Sequence, residues 1–138
     1  MCNGGLMKKI IIVLCAIVCS CIGSTFATNY VAVTTDPHSQ WYVDVDSVHV
    51  MITNHSQYVV EANLKKVDSR SGKMSLFETH FTYYLDDHLM AVIFLRASRD
   101  GGYRWIPDFN AQNIAIYPNM PIYDIGAFVY KEAFKKSF

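Results

Sequence analysis

The sequence predicts an α+β fold in which an antiparallel β-meander sheet packs against one C-terminal α-helix. Two observations carry this prediction. Between Tyr58 and Ala97, two segments of alternating apolar and polar residues and one apolar segment are separated by short clusters of turn-forming residues, as in strands joined by hairpins. From Pro121 onward the apolar residues are instead spaced three and four apart, which is the spacing of a helix with one apolar face.

Five strands are predicted from this alternation and from their content of β-branched and aromatic residues. They span Asn29–Thr35, Trp41–Val45, Tyr58–Val67, Lys73–Leu85 and Leu89–Ala97. The last of them is apolar on both faces, as expected of a strand in the middle of a sheet. After the next turn, Tyr103–Ile106 is predicted as a short strand that ends at Pro107, and Asn113–Tyr117 as another short element.

The C-terminal helix has signals at both of its ends. Asn119 is predicted as its N-cap, and Pro121 suits the first turn. Lys135 and Lys136 lie where they would complement the negative end of the helix dipole. We expect the helix to dock on one face of the sheet through an apolar stripe that contains Ile122, Ile125 and Val129.

The N-terminal segment predicts export from the cytoplasm. Two lysines precede the apolar run Ile10–Ile22, and small residues lead up to Ala27, which is the pattern of a secretory signal peptide. The run has 13 residues, whereas a membrane-spanning helix needs roughly 20. We therefore predict a signal peptide over residues 1–27 and not a permanent anchor. Met7, directly before the two lysines, is an alternative start of translation.

Cysteine usage agrees with this division of the chain. All four cysteines lie in the segment expected to be removed, at Cys2, Cys15, Cys19 and Cys21. The mature chain would therefore have neither a disulfide framework nor a thiol nucleophile. An alternative interpretation is lipidation, because the sequence around Cys21 loosely resembles a bacterial lipobox and would make Cys21 a lipid-anchored first residue.

The remaining residues, 28–138, are predicted to form a single β-rich domain with the helix at its end. Removal of the signal peptide takes two lysines away, so that the 12 basic residues fall to 10 against 12 acidic ones and the formal charge becomes −2. A slightly acidic domain lacks the electrostatic footprint of nucleic-acid binding. Its length of 111 residues is enough to bury a core without cross-links.

The stretch WYVDVDSV, residues 41–48, places two aspartates two positions apart. Asp44 is predicted to face water, and Asp46 to start a bend with Ser47. A hard cation needs six to eight oxygen ligands, and further acids do not follow. A catalytic site would need two or more of these acids and nearby histidines to converge in a deep pocket, from Asp44, Asp46, His49 and His80. We predict no enzyme, metal site or cofactor.

The segment GYRWIPDF, residues 102–109, is the predicted binding surface. Tyr103, Arg104 and Trp105 are of the residue types that dominate interface hot spots. The alternative is that Trp105 fills the core between the sheet and the helix.

WYVDVDSV also carries a resemblance to a known family. With the signal peptide before it and the meander and helix after it, the stretch resembles the opening of the surface-adhesin protein E-like domains of Gram-negative bacteria. The matching positions are Trp41, Tyr42, Asp44, Ser47 and Val48, and the resemblance covers residues 40–134. It implies an antiparallel sheet packed on one C-terminal helix, an outer-envelope location and no known catalysis. The founding adhesin binds host extracellular proteins, and this chain lacks the disulfide expected to tether its helix.

These observations predict an exported bacterial cell-envelope protein that acts as a noncatalytic binding module, as a surface adhesin for host proteins. It would lie in the periplasm, on the outer-membrane surface or outside the cell, without a transmembrane helix in the mature chain. Its partner would be a protein or another envelope or host ligand, and no nucleic acid. The alternative is a periplasmic small-ligand-binding protein or an enzyme of unknown substrate.

Overall fold

The computed structural model describes residues 28–138, and for residues 108–111 the backbone only. The predicted signal peptide and the predicted lipidation of Cys21 lie outside the described residues. Within residues 28–138, no helix combines the length and the apolar character needed to cross a membrane.

The described residues form one six-stranded antiparallel sheet followed by a helix. The strands are β1 (Tyr30–Thr35), β2 (Ser39–Thr53), β3 (Gln57–Asp68), β4 (Met74–Tyr84), β5 (Leu89–Ser98) and β6 (Ile106–Ile116), and the helix is α1 (Pro121–Phe134). Each strand pairs with the next along the chain, in the order β1 to β6. The predicted fold class, an antiparallel meander packed against a C-terminal helix, is confirmed.

Two strands differ from their predicted extents. β2 is 15 residues long and continues through the bend predicted at Asp46 and Ser47. β6 begins where the predicted Tyr103–Ile106 strand was expected to end, and it contains Pro107. Proline is tolerated in β6 because β6 is an edge strand, which has a neighbouring strand to bond on one side only.

Helix α1 covers one face of the sheet, which we call the helix-side face; the opposite side is the open face. Four residues of α1 are buried: Ile125, Gly126, Val129 and Tyr130. They close a core whose sheet residues are Val43, Val60, Ala62, Leu64, Phe81, Tyr83, Met90, Val92 and Ile116. The register explains the alternation of the sequence, because Val60, Phe81 and Val92 lie directly opposite one another on β3, β4 and β5.

The start of α1 differs from the prediction in one detail. Met120, not Asn119, occupies the N-cap position, with extended backbone angles and without a side-chain cap hydrogen bond. Asn119 instead lies within a turn that precedes the helix, in which the N–H of Met120 donates to the carbonyl of Tyr117. Pro121 is the first helical residue, as predicted. Lys135 ends the helix in a left-handed conformation and donates its N–H to the Lys131 carbonyl.

A buried hydrogen bond joins the sheet to the helix. The Tyr83 hydroxyl donates to the Gly126 carbonyl oxygen over 2.6 Å. Burial raises the pKa of Tyr83 well above its ordinary value, so the phenol keeps its proton and stays a hydrogen-bond donor at neutral pH.

Tyr83→Phe is expected to lower the free energy of unfolding by about 1 kcal/mol, because one buried hydrogen bond is lost without a change of shape. Urea denaturation measures this change. The matched control is Tyr84→Phe: Tyr84 is a half-buried tyrosine of the same strand, and its hydroxyl accepts a long, exposed hydrogen bond of 3.5 Å from Asn113. Equal losses in the two variants would contradict a special contribution of the bond between Tyr83 and the helix.

Candidate functional site

The stretch WYVDVDSV forms a large bulge in the sheet. Asp44 lies opposite Asn63 of β3, and His49 lies opposite Glu61, so that four residues of β2 face the single residue Ala62. The Ser47 side chain bridges β2 and β3 at this point. Its hydroxyl donates to the Asp44 carbonyl over 2.6 Å and accepts the N–H of Asn63 over 2.8 Å. The serine thereby replaces backbone groups that the bulge carries out of reach.

The bulge also explains why the prediction that Asp44 faces water is wrong. Asp44 is only 5% exposed, whereas Asp46 is exposed. One oxygen of the Asp44 carboxylate accepts the N–H groups of Asn29 and Asp46, both over 3.2 Å. Burial and then the Asp44 charge raise the pKa of the neighbouring Tyr30. Asp44 thus holds the start of β1 against the bulge and has a structural role.

The predicted requirement for a catalytic pocket is not met by these acids and histidines. His49 and His80 lie on either side of Glu61 across three strands of the open face, and Asp46 is in the exposed part of the bulge. Among residues 28–138, no group of three or more histidine, cysteine, aspartate or glutamate residues is placed to hold a metal ion.

The predicted binding surface lies at the turn between β5 and β6. Tyr103 is 95% exposed and Arg104 is exposed, while Trp105 is half-buried. The guanidinium of Arg96 lies 4.4 Å from the centre of the Trp105 ring, and it pairs with Glu78 on the open face. Trp105 is therefore held beside the sheet by a cation–π contact and is not part of the buried core.

A second site was not predicted from the sequence. Two adjoining cavities of about 500 and 290 Å³ open on the helix-side face beyond the start of α1. Trp41 and Phe94 line both cavities, so the two are parts of one groove. We call it the aromatic groove. Its floor is a row of three rings: Trp41 stacks on Phe77 with 5.7 Å between centroids, and Phe77 meets Phe94 edge-on at 5.5 Å.

The two ends of the aromatic groove differ in character. The smaller cavity lies against the start of α1 and is lined by aliphatic side chains, with Asp36 as its one charged residue. The larger cavity lies between the β3–β4 and β5–β6 turns, and its charged residues are Lys66, Asp68, Lys73 and Arg99. An apolar end and a charged end share one aromatic floor.

Hydrogen bonds hold the Trp41 ring in place. Its indole N–H donates to Asp36 over 3.1 Å, and the Lys66 ammonium lies 5.2 Å from the ring centre. The N–H of His38 also donates to Asp36, over 2.8 Å. The bonds from His38 and then from Trp41 lower the pKa of Asp36, so the carboxylate stays charged and oriented. The floor is therefore organised before any ligand enters.

The charged end of the groove leaves its cations unpaired. Among the described residues, no carboxylate lies within 4.0 Å of Lys66, Lys73 or Arg99. Asp68 accepts hydrogen bonds from the N–H and the hydroxyl of Ser71 and from the Arg70 N–H, which lower its pKa. All three bonds reach the same oxygen, Oδ1, and hold the Asp68 carboxylate in its own turn, so the three cations have no ion pair to give up when a ligand binds.

The link between Asp36 and Trp41 predicts a titration at low pH. Because the fold lowers the pKa of Asp36 below its ordinary value of 3.8, this contribution to stability is complete above that value. It is lost as the pH falls through the lowered pKa. We expect the NMR signal of the Trp41 indole N–H to shift with a midpoint below 3.8. Asp36→Asn, the control, removes this titration, and a midpoint at or above 3.8 would contradict the assignment.

Sequence reasoning missed the aromatic groove although its residues were visible. Trp41 lies on the same alternating face as Val43, and Phe77 on the same alternating face as Phe81, so both pattern as core residues. The missing information was how far along the sheet the helix reaches. Since α1 covers only part of the helix-side face, the same period-two pattern that makes a core also leaves aromatic residues at an open end.

Comparisons with known proteins do not add an identity. No protein-family model matches the chain, and neither a curated protein nor a solved structure matches it. The resemblance to protein E-like domains therefore stays a prediction.

Proposed function

We propose that this protein is an exported, noncatalytic binding module of the bacterial cell envelope whose ligand lies in the aromatic groove. One observation carries the choice of site: two cavities share an organised floor of three aromatic rings, with an apolar end and a charged end. Ligand sites are typically concave and mostly apolar, with a few fixed polar groups that set orientation. The groove has these properties.

The groove fits a slender ligand with an apolar part. The row Trp41, Phe77 and Phe94 offers ring faces and edges along one line. Each methylene group buried there contributes about 0.8 kcal/mol, so an eight-carbon chain is long enough to offset part of the cost of association and to bind measurably.

The two tryptophans of the chain make the test direct. Trp41 is in the aromatic groove and Trp105 is beside the open face, so their indole N–H signals report on different surfaces. The protein expressed from the full-length sequence is titrated with 1-octanol and, separately, with octanoate. We expect saturable shifts at Trp41 for at least one probe. Shifts at neither probe, or shifts confined to Trp105, would overturn the groove as the site.

A blocking variant tests the same site without removing a core residue. Ser75 is half-buried and lines the larger cavity, so Ser75→Trp is expected to fill the groove and abolish the shifts at Trp41. The control is His80→Trp, which places the same bulk on the open face of the same strand. Well-dispersed NMR spectra of both variants establish that they are folded. Retained binding in folded Ser75→Trp would contradict the proposal.

Export has its own test. The full-length chain is expressed in a Gram-negative host and the cells are fractionated. The molecular mass of the mature protein is then measured by mass spectrometry. Cleavage after Ala27 yields a chain that starts at Thr28, and lipidation yields one that starts at an acylated Cys21. An uncleaved chain that stays in the cytoplasm would overturn the envelope location.

The second candidate is adhesin activity at the β5–β6 turn, which the exposure of Tyr103 favours. Its test is binding of the protein to immobilised host extracellular-matrix proteins. Tyr103→Ala is expected to reduce binding severalfold, while Tyr117→Ala removes a tyrosine that is exposed elsewhere and is expected to leave it unchanged. Equal binding by all three proteins would exclude the turn as the contact surface.

A further inference from the structure

We infer that the ligand of the aromatic groove is an amphiphilic anion, with a slender apolar chain that ends in a carboxylate or phosphate group. This inference rests on the proposed function, because it names the chemistry of what the same groove takes. Two properties of the groove support this inference. One end is apolar and the other is charged, and the cations at the charged end form no ion pair with a described residue.

The apolar end selects a chain and disfavours a sugar. Its lining includes Val92, Ile114, Met120, Pro121 and Ile122, together with the Trp41 and Phe94 rings. The one charged group there, the Asp36 carboxylate, already accepts two hydrogen bonds from the protein. Sugar hydroxyls placed at this end would lose their hydrogen bonds to water without gaining enough hydrogen bonds to the protein. An alkyl chain has no hydrogen bonds to lose.

The charged end selects the sign of the headgroup. Three cations, Lys66, Lys73 and Arg99, and one carboxylate, Asp68, line it, so positive charge is in excess. Among the described residues, no carboxylate lies within 4.0 Å of the three cations. An anionic headgroup there would accept charge-assisted hydrogen bonds from side chains that give up no existing ion pair. A ligand in the reverse orientation would place its anion beside Asp36, so the charges also define the direction in which the chain lies.

The test compares probes that share one chain and differ in headgroup. Octanoate, 1-octanol and octylammonium are titrated against the protein, with the Trp41 indole N–H as the reporter. We expect octanoate to bind about tenfold more tightly than 1-octanol at low salt, with octylammonium the weakest, and the preference to shrink as salt is added. Octyl phosphate forms a fourth arm: tighter binding than octanoate assigns a phosphate headgroup, and weaker binding assigns a carboxylate.

Charge reversal locates the preference. Lys73→Glu combined with Arg99→Glu changes two exposed residues of the groove and leaves its aromatic floor intact. We expect this variant to bind octanoate no more tightly than 1-octanol. The control, Lys131→Glu combined with Lys136→Glu, makes the same change in net charge on exposed residues toward the far end of α1. It is expected to keep the preference for octanoate.

The outcomes separate this inference from the proposed function. Equal binding of octanoate and 1-octanol at Trp41 would overturn the anionic headgroup and leave the groove as a binding site. An equal loss of the preference in both double variants would assign it to overall charge, and an unchanged preference in Lys73→Glu with Arg99→Glu would also overturn the role of Lys73 and Arg99. No shift at Trp41 with any of the four probes would overturn the proposed function itself.

Discussion

Gly126→Val is expected to lower the free energy of unfolding by about 1–3 kcal/mol, the usual cost of overpacking a filled core. A Cβ atom on Gly126 would lie 2.5 Å from the sulfur of Met90 and 3.4 Å from two atoms of the Phe81 ring. Both neighbours are buried, with Met90 only 2% exposed. Valine forms helices slightly better than glycine, so a loss of stability must come from packing. Urea denaturation measures the change as a lower midpoint.

A double variant checks the cause of this loss. Met90→Ala alone removes a buried side chain and is expected to cost about 2–5 kcal/mol. Combined with Gly126→Val, it vacates the space that the valine methyl groups need. The double variant should therefore be more stable than the sum of the two single changes predicts. Strictly additive losses would show that contact with Met90 is not what makes position 126 intolerant of a side chain.

Ser47→Ala is expected to lower the free energy of unfolding by about 1–3 kcal/mol, because the N–H of Asn63 then lacks its acceptor in the middle of the sheet. The serine hydroxyl links the Asp44 carbonyl to the Asn63 N–H at the edge of the bulge. Hydrogen exchange measured by NMR adds a local readout, since the Asn63 amide should lose protection more than the amides of β5 do.

The matched control for this change is Ser75→Ala. Ser75 is also a half-buried serine in a strand, and its hydroxyl makes no hydrogen bond to another described residue. Its replacement should alter stability by no more than about 0.5 kcal/mol. If the two substitutions cost the same, the hydroxyl of Ser47 does not maintain the bulge.

The order of elements could be predicted from the sequence because it rests on local pattern. Alternation from Tyr58 to Leu85 requires one buried face, and tight turns allow only antiparallel neighbours. The C-terminal helix α1 and its buried stripe could be predicted in the same way, from the helical spacing of apolar residues. β6 was predicted too short because Pro107 normally ends a strand, and only its position at the sheet edge makes it acceptable.

Asp44 shows where local pattern stops being informative. Alternation assigns it to the face opposite Trp41 and Val43, and a carboxylate on that face is expected to be wet. Asp44 keeps that place, opposite Tyr30 and Asn63, but it is buried there and the N–H of Asn29 donates to it. The contact joins residues 15 apart in the chain, so it depends on a register that no single stretch of sequence specifies.

The sequence by itself determined the fold class of this protein, the order of its strands and the face of the helix that is buried, because each depends on the periodicity of neighbouring residues. Only the tertiary structure decided what WYVDVDSV does and where a ligand can lie. The bulge at Asp44 and Ser47 is a matter of strand register. The aromatic groove exists because α1 leaves the end of the sheet that carries Trp41, Phe77 and Phe94 partly uncovered. The part of the sheet that the helix covers and the register of the strands both depend on residues far apart in the chain. The same alternating pattern is therefore compatible with a closed core or with an open site.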